Sequence, residues 1–381
     1  MKKSGTVTIM GLMSGTSADG LSIALCSFRP AGRKLHVLAH KTYPYGPGLQ
    51  GRILAAKDMT TPELSSLNFE LGRLWAGMVK RFCREYGVAY NDIAVIGSHG
   101  QTVWHRPGAK GSTFQIGEPS FISDATGRPV VADFRPADMA AGGCGAPLIP
   151  FMDEYLFGGG GPLALQNIGG VGNISFVGKG VAVSGFDTGP GNSLMDTAVS
   201  ALTRGKMTYD AGGRRAAAGK IDHAKVEKLL KLPFFALRPP KSLDRGEFSA
   251  DFIRRHFGRL KADNEHDVLA TLNYFTAASI ALAFKKFAPK GTSGLVVSGG
   301  GALNPVLMLN IAAALPEIEV KSIAELGMDP LAKEPACFAL LAWLAFHGKI
   351  NHCPSATGAG GSRILGKIIP GRPAAASYDA S

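Results

Sequence analysis

The chain has 381 residues, of which 45% are hydrophobic and 18% are charged, a balance typical of a globular protein with a large core and two or three domains. Its net charge of +12 suits anionic ligands, but the basic residues are scattered, which disfavours nucleic-acid binding. The five cysteines are widely separated and form no CxxC pair, which disfavours disulfides and zinc sites and indicates the cytoplasm. No uninterrupted apolar run is long enough to cross a bilayer, so we expect no membrane-spanning segment.

A β-hairpin is the first predicted element. Thr6–Met10 and Leu21–Phe28 are apolar strands, and a run of small polar residues forms the turn between them. Such a turn can bind phosphate through backbone amides and hydroxyls, and its candidate residues are Gly15, Thr16, Ser17, Asp19 and Gly20. Because Asp19 would repel a bare anion, it favours a magnesium ion beside the phosphate, bound directly or through water. An ordinary polar hairpin is the alternative.

Three further elements complete the first half of the chain. His36–Tyr43 is a predicted strand, and a long helix with Pro62 in its first turn begins at Thr61. Ile93–Ile96 is a buried strand that leads into a polar segment at 98–102. The predicted order is therefore β-β-β-α-β.

The opening pattern returns in the second half. The apolar segments Leu163–Leu165 and Ile174–Val177 flank a glycine-rich turn, whose candidate phosphate-binding residues are Asn167, Gly169, Gly170 and Asn173. This weak internal repeat predicts two related lobes that bind one polyphosphate from both sides. We place the N-terminal lobe at 1–138 and the C-terminal lobe at 139–359, and we expect the segment from about 360 to 381 to pack back on the N-terminal lobe.

The remaining elements of the second lobe alternate between strands and helices. Val181–Phe186 is a predicted strand that Asp187 ends, and His266–Phe287 is a long helix. Leu295–Val297 is a short strand that opens into the glycine triplet Gly299, Gly300 and Gly301, followed by Asn304 and a helix. A triplet of this kind lets the backbone approach a flat ligand such as a nucleotide base, although a plain strand-to-helix turn is the alternative. Cys337–Phe346 is an apolar helix.

Short motifs follow one another along almost the whole chain. They are Met13-Ser-Gly-Thr-Ser-x-Asp-Gly20, His99-Gly-Gln-Thr102, Gln115-Ile-Gly-Glu-Pro-Ser120, Asp133-Phe-Arg135, Asn167-Ile-Gly-Gly170, Phe186-Asp-Thr-Gly-Pro-Gly-Asn192, Ser298-Gly-Gly-Gly-Ala-x-Asn304 and Thr357-Gly-Ala359. In these motifs the chain resembles the anhydro-N-acetylmuramic acid kinases. The first and the sixth motif together are the most specific.

This resemblance implies an α/β fold of the two-lobed, actin-like ATPase (ribonuclease H-like) class with a nucleotide cleft between the lobes. It implies ATP with Mg²⁺ as the phosphoryl donor and a bicyclic anhydro-sugar as the acceptor. In that family water opens the anhydro bridge while the freed 6-hydroxyl takes the phosphoryl group, which gives N-acetylmuramic acid 6-phosphate in cell-wall sugar recycling. The two glycine hairpins then correspond to the two phosphate-binding loops, and the segment from Gly299 to Asn304 to the adenosine-binding loop.

The resemblance also suggests roles for single residues. Asp187 is the candidate general base that activates water, and a helix N-cap is its alternative role. Glu334 resembles the second carboxylate that orients the water, with an ordinary first-turn helix acid as the alternative. Thr102, Glu118 and Arg135 are the candidate sugar-binding residues. Arg135 can pair with a carboxylate such as that of a muramic lactyl group.

The sequence departs from the family pattern at several positions, namely Ala18, Ser22, Cys144, Leu303 and the segment Lys241–Glu247. These departures leave open which sugar substituents are recognised. A kinase for a simpler anhydrosugar such as levoglucosan and a non-sugar actin-like ATPase remain as alternatives. We expect a small-molecule sugar and ATP as partners, with no nucleic acid and no membrane, and a homodimer is one option for the oligomeric state.

Overall fold

The computed structural model describes residues 5–108, 110–239, 241–243, 247–261 and 263–372. Residues 244–246 of the divergent segment Lys241–Glu247, and 373–381 of the segment expected to pack back, lie outside the described residues. The chain divides into two compact units, the first built from Met1–Met152 and Ala332–Ser381 and the second from Asp153–Leu331. The boundaries thus differ from the predicted ones at 138 and 359, because the helix that follows Ala332 packs in the first unit.

Strands and helices alternate along both units. The strands are β1 (Val7–Ser14), β2 (Gly20–Arg29), β3 (Lys34–Pro44), β4 (Ile93–Arg106), β5 (Ser112–Ile116), β6 (Val130–Ala132), β7 (Leu163–Ile168), β8 (Val171–Val177), β9 (Ser184–Pro190), β10 (Gly294–Ser298), β11 (Glu319–Ser322) and β12 (Lys367–Ile369). The helices are α1 (Pro47–Leu54), α2 (Thr61–Glu85), α3 (Ser120–Thr126), α4 (Arg135–Ala140), α5 (Ile149–Phe157), α6 (Ser193–Leu202), α7 (Arg214–Ala217), α8 (His223–Leu229), α9 (Pro233–Ala236), α10 (Ala250–Phe257), α11 (Glu265–Phe287), α12 (Pro305–Ala314), α13 (Lys333–Phe346) and α14 (Pro354–Thr357).

Each unit contains one mixed sheet, and the two sheets share one strand order. The first runs β12-β6-β4-β1-β2-β3, with β5 paired to β4, and the second runs β11-β10-β7-β8-β9. In both, the first three strands form an antiparallel meander, and the next two strands of the path pair in parallel beside the first. The predicted internal repeat and the predicted α/β fold of the actin-like class are therefore confirmed.

The start of α2 shows how local sequence fixes an element. Thr60 and Glu63 form a reciprocal capping box, and Pro62 occupies the first turn, where its missing N–H costs nothing. Leu67, Leu71 and Trp75 then fall on the buried face of the helix and pack into the core of the first unit. The helix begins at Thr61, as predicted.

Helix α13 belongs to the first unit because two glycines let it lie directly on the sheet. It contacts β1, β2 and β4. A Cβ atom at Gly11 on β1 would collide with the backbone of Pro335, and one at Gly97 on β4 would collide with the backbone of Phe338. This packing places Glu334, in the first turn of α13, close to the end of β1. The predicted assignment of this helix to the second lobe is therefore wrong.

Helix α11 is the central helix of the second unit. Its length and apolar composition would allow it to cross a membrane, but 78% of its apolar window is buried, and α6, α7, α8 and α12 pack on it. Leu269, Leu272, Ile280 and Phe284 are buried as predicted. The helix meets a criterion of length and mean composition only, and its burial is that of a core helix, so it does not contradict the expectation of no membrane-spanning segment.

Candidate active site

The first hairpin turn joins the ends of β1 and β2. The N–H of Ala18 donates to the carbonyl of Gly15 at 3.0 Å, and the methyl group of Ala18 is fully buried. Thr16, Ser17 and Asp19 are exposed. A Cβ atom at Gly15 would meet only the Ser17 hydroxyl, at 3.7 Å. The turn thus presents its polar atoms to solvent and keeps open space beside Gly15.

A buried brace holds this turn. The Ser14 hydroxyl lies 2.6 Å from Gln101 Oε1 and 2.9 Å from the Tyr45 hydroxyl, and Gln101 Nε2 donates to the Gly15 carbonyl at 3.2 Å. Trp75 Nε1 donates to the Tyr45 hydroxyl, whose pKa burial raises to about 12. The turn is therefore fixed by β4 and α2 before any ligand binds.

The candidate sugar-binding residues are spread over β4, the loop after β5 and the start of α4. Thr102 lies on β4, and its hydroxyl accepts from Gln115 Nε2 at 3.3 Å. Glu118 Oε1 accepts from the N–H and the hydroxyl of Ser120. Arg135 donates to His99 and to the carbonyl of Gly145. Each has a structural partner, so all three enter any sugar site with constrained orientations.

Glu334 lies within electrostatic reach of Arg135. Burial raises the pKa of Glu334, with the nearby Asp19 charge adding to the effect and Lys333 and Arg135 opposing it. Burial also lowers the pKa of Arg135 to about 10, with Glu334 and Asp138 opposing that shift. In the first unit the structure therefore brings the predicted phosphate turn, Glu334 and Arg135 into one electrostatic neighbourhood.

The second hairpin carries a row of polar side chains across four strands. Asn167 on β7 pairs with Ser298 on β10 and with Asn173 on β8, and Asn173 pairs with Asp187 on β9. Residues directly opposite in a sheet project from the same face. The turn residues Gly169 and Gly170 lie at the end of this row, and their carbonyls accept from the N–H groups of residues 191–193.

Asp187 does not end its strand, because β9 continues to Pro190. The N-cap of α6 is Asn192, so the alternative role of Asp187 as cap of that helix is wrong. Its Oδ2 accepts from the N–H of Leu243 at 2.8 Å, and its own N–H donates to the carbonyl of Lys241. Burial raises its pKa, with the Leu243 hydrogen bond and Lys241 opposing. The result is a half-buried carboxylate of increased basicity.

The glycine triplet packs directly on the second hairpin. Gly299 has φ of +81°, and a Cβ atom there would lie 2.6 Å from the carbonyl oxygen of Ile168. A Cβ atom at Gly301 would collide with the Ile168 side chain. Asn304 Oδ1 accepts from the N–H of Leu307 and caps α12. Close packing against Ile168 thus requires glycine at 299 and 301, and Asn304 caps a helix. Both roles are independent of the predicted adenosine contact.

The positions that depart from the family pattern fall in different surroundings. The Ser22 hydroxyl lies 2.7 Å from that of Thr42 within the β2–β3 pair. Cys144 is exposed, with its N–H bonded to the Thr357 carbonyl, and Leu303 is 54% exposed beside the glycine triplet. Cys144 and Leu303 therefore change the surface that a ligand could meet.

Sequence reasoning missed a buried cluster that fixes the loop after α4. Asp138 accepts from His352, from the Thr357 hydroxyl and from the N–H of Gly145. His352 Nδ1 accepts from the N–H of Arg363. The ring hydrogen is therefore on Nε2, which donates a hydrogen bond to Asp138. Asp138 and His352 lie 214 residues apart. The cluster explains the Thr357-Gly-Ala motif as part of a clamp on this loop.

No group of three or more His, Cys, Asp or Glu side chains within the described ranges could hold a metal ion. The carboxylate of the exposed Asp19 accepts no hydrogen bond from the described residues. Mg²⁺ commonly takes one or two carboxylates and completes its shell with water and substrate phosphates. The residues therefore fit a magnesium ion held by Asp19 and a bound polyphosphate.

The sequence was compared with known families and proteins. The anhydro-N-acetylmuramic acid kinase family model matches residues 7–371. Proteins called anhydro-N-acetylmuramic acid kinase are 42% identical in Xanthomonas oryzae pv. oryzae (strain MAFF 311018), over 95% of this chain and 97% of that protein, and 39% identical in Streptomyces coelicolor, over 96% and 94%. Among solved structures, a ROK family glucokinase from Streptomyces griseus in complex with glucose and AMPPNP aligns over 89% of this chain and 99% of its own, with TM-score 0.37 and 16% identity.

The family match and the relatives agree over nearly the full length of the chain. The family model that matches residues 7–371 and the relative that is 42% identical over 97% of its length show that this chain belongs to the anhydro-N-acetylmuramic acid kinase family.

Proposed function

We propose that the protein uses ATP to phosphorylate the 6-oxygen of anhydro-N-acetylmuramic acid while water opens the anhydro bridge, which yields N-acetylmuramic acid 6-phosphate. Family membership supports the kinase activity and the sugar. One structural observation supports the coupling of the two steps. The row of Asn167, Asn173 and Asp187 joins a glycine turn suited to phosphate with a carboxylate suited to proton abstraction.

Asp187 is the proposed general base. Water is a poor nucleophile, so its attack on the anomeric carbon requires a group that takes its proton. Oδ2 of Asp187 accepts from Leu243, which fixes the orientation of the carboxylate and leaves Oδ1 for the water. The carbon–oxygen bond of the anhydro bridge breaks as water adds, and the released 6-oxygen attacks the γ-phosphorus of ATP, so that the new oxygen–phosphorus bond forms as the bond to the leaving ADP breaks. A second acid is not required, because the negative charge that develops on the 6-oxygen passes to the phosphoryl group instead of being cancelled by a proton.

Backbone amides of the two glycine turns are the proposed phosphate ligands. In the first turn the proposed ligands belong to Gly15, Thr16, Ser17 and Gly20. In the second turn they belong to Gly169 and Gly170, together with the backbone amides of Asn167 and Asn173. Concave runs of backbone N–H groups bind anions without a formal charge. The adenosine is proposed to lie on the segment from Gly299 to Asn304, where glycines allow close approach of the backbone. A magnesium ion at Asp19 would neutralise phosphate charge when bound.

The first unit is proposed to hold the sugar through Thr102, Glu118 and Arg135. Arg135 is suited to a carboxylate, because a guanidinium can donate two parallel hydrogen bonds to one. Glu334 is proposed to orient the attacking water through a hydrogen bond to its carboxyl group, whose pKa is raised by burial while the charges of Lys333 and Arg135 oppose that rise. The muramic lactyl group supplies the carboxylate that Arg135 would bind.

Product analysis with a panel of sugars tests this function. The protein is incubated with ATP, Mg²⁺ and anhydro-N-acetylmuramic acid, levoglucosan or no sugar, and the products are identified by mass. We expect a product heavier than the sugar by one phosphoryl group and one water. In ¹⁸O-labelled water the label should appear on the anomeric hydroxyl and never in the transferred phosphate. Phosphorylation without uptake of water would contradict the coupled mechanism.

The cellular setting of this activity is also proposed. The cysteines at 26, 83, 144, 337 and 353, all within the described residues, form no disulfide, which agrees with a reducing cytoplasm. We propose that the protein works there on small molecules, without nucleic acid or membrane partners, and that it forms a homodimer. Light scattering coupled to gel filtration measures the oligomeric state directly, and a monomeric mass at micromolar concentration would contradict the dimer.

A further inference from the structure

Arg135 is held by an unusual partner, the imidazole of a buried histidine. His99 is 2% exposed, and its Nε2 lies 3.1 Å from Arg135 Nε and 2.8 Å from Nη2. Its other ring nitrogen, Nδ1, lies 2.9 Å from the carbonyl oxygen of Gly100. Because a carbonyl can only accept, Nδ1 carries the hydrogen, and Nε2 of the neutral ring is the acceptor.

The charge state of His99 fits this arrangement. Burial and the neighbouring Arg135 charge hold the pKa of His99 well below its usual value, with a smaller contribution of the same sign from His105. A protonated ring would present an N–H to the guanidinium and lose both hydrogen bonds. The ring also packs against Phe338, with 4.6 Å between ring centroids, so it has little freedom to turn.

The other side of the guanidinium is fixed by a backbone peptide. Arg135 Nη1 donates to the carbonyl of Gly145 at 2.8 Å, and the N–H of the same glycine donates to the buried carboxylate of Asp138. Asp138 is in turn fixed by His352 and Thr357. The two partners of Arg135 are therefore themselves immobilised by side chains in the core of the first unit.

This leaves a defined set of free donors. A guanidinium has five N–H hydrogens, and the bonds to His99 and Gly145 use three of them. One hydrogen remains on each of Nη1 and Nη2, the pair of nitrogens that bind a carboxylate end-on. Among the described side chains, no carboxylate forms an ion pair with Arg135.

We propose that His99 is a positioning residue that turns the free edge of the Arg135 guanidinium toward the sugar and so selects an anhydro-sugar that carries a carboxylate. The inference rests on the proposed function, because it assigns the carboxylate to that substrate. A neutral imidazole is a suitable partner for this task. It accepts two hydrogen bonds without neutralising the arginine, whereas an aspartate or glutamate at 99 would compete with the substrate for the same cation.

The test compares His99→Phe, which fills the space without an acceptor, with His99→Gln, whose amide oxygen can reach the place of Nε2. Hydrogen bonds to a charged group contribute more to binding and orientation than those between neutral groups. We therefore expect His99→Phe to raise KM for anhydro-N-acetylmuramic acid roughly tenfold or more. KM for ATP and kcat/KM for any turnover of levoglucosan should stay within about twofold, and His99→Gln should recover most of the loss. Equal losses on both sugars, or no loss, would overturn the proposal.

A double-mutant cycle keeps the test valid if His99→Phe folds poorly. If His99 acts through Arg135, the effects of His99→Leu, which also lacks the acceptor, and of Arg135→Gln on sugar affinity, measured by calorimetry, should be strongly non-additive. Additive effects would overturn the proposal.

A spectroscopic readout separates this inference from the proposed function. Nitrogen-15 NMR of the histidine ring should show a neutral Nδ1–H tautomer of His99 that does not titrate between about pH 5 and 8. Failure of the protein to phosphorylate any anhydro-sugar would defeat the function but leave this result standing. A His99 that titrates normally in the unmodified protein would overturn the positioning role itself.

Discussion

Asn173 lies directly opposite Asp187 across the antiparallel strands β8 and β9. Asn173 is also opposite Asn167 on β7, so backbone hydrogen bonds of one sheet fix the spacing between the second glycine turn and the candidate base. Neighbouring Cβ atoms in such pairs are about 5 Å apart. The sheet itself therefore aligns the groups proposed to act on phosphate and on water.

Asp187→Asn tests the proton-accepting role of this carboxylate. The amide keeps the shape and can still accept from the N–H of Leu243, so the fold should be retained. Because the amide cannot take a proton, kcat should fall about a hundredfold or more. The KM values for sugar and ATP should change little, since the lost interaction belongs to the transition state. Steady-state kinetics measure both quantities.

The control for this variant is Asp251→Asn, at a position where the carboxylate is largely exposed on α10. It should leave kcat unchanged. An Asp187→Asn protein with near-normal turnover would remove Asp187 from the chemistry and make Glu334 the next candidate base.

Gly15→Val tests the first glycine turn. Gly15 has no positive φ, and only the Ser17 hydroxyl lies near the position of an added Cβ atom, so valine should fit without strain in the free protein. Its branched side chain would occupy the space that a phosphate needs. We expect nucleotide affinity, measured by calorimetry, to fall at least about tenfold. Gly46→Val, at a glycine with no neighbour within 4 Å, is the control. Normal ATP binding by Gly15→Val would exclude this turn from the site.

The local features of the fold are readable from the sequence. The capping box and Pro62 set the start of α2, and the apolar runs around two glycine turns predict both hairpins. Strand β4 continues to Arg106, beyond the predicted end at Ile96, because pairing with β1 and β5 extends it through polar residues that carry no strand signal of their own. The predicted strand Val181–Phe186 begins and ends before the observed β9, which spans Ser184–Pro190. The glycines and the proline of β9 are residue types that are depleted in strands.

The long-range features are not readable in this way. The contact of α13 with the first sheet depends on Gly11 and Gly97, which are far from Pro335 in the sequence. The Asp138–His352 contact and the Arg135–His99 pair likewise join residues whose neighbourhood only the folded chain creates. The motifs indicated which residues take part in the site, whereas their partners, charge states and orientations follow from tertiary packing.

Glu334→Gln tests whether the buried acid of α13 takes part in the reaction. The substitution keeps the size of the side chain and removes its charge. If Glu334 orients the water, kcat should fall about tenfold or more while KM for ATP is unchanged. If it is only a first-turn helix acid, kcat should stay normal and the free energy of unfolding should not drop, because burial already disfavours the charge that the substitution removes. Kinetics and urea unfolding of one preparation distinguish the two outcomes.

Asp196 in the first turn of α6 predicts a pH dependence of stability. Burial raises its pKa to about 7, whereas an aspartate in an unfolded chain has a pKa near about 3.9. Between these values the folded protein keeps a proton that the unfolded chain has released, so this residue makes the free energy of unfolding fall as pH rises. Asp196→Asn should abolish the effect, and its stability relative to the unmodified protein should be greater at pH 8 than at pH 4.5, by on the order of 1 kcal/mol or more. Urea unfolding at both pH values measures this, with Asp251→Asn as the control, and a difference that is the same at both would show that Asp196 titrates normally.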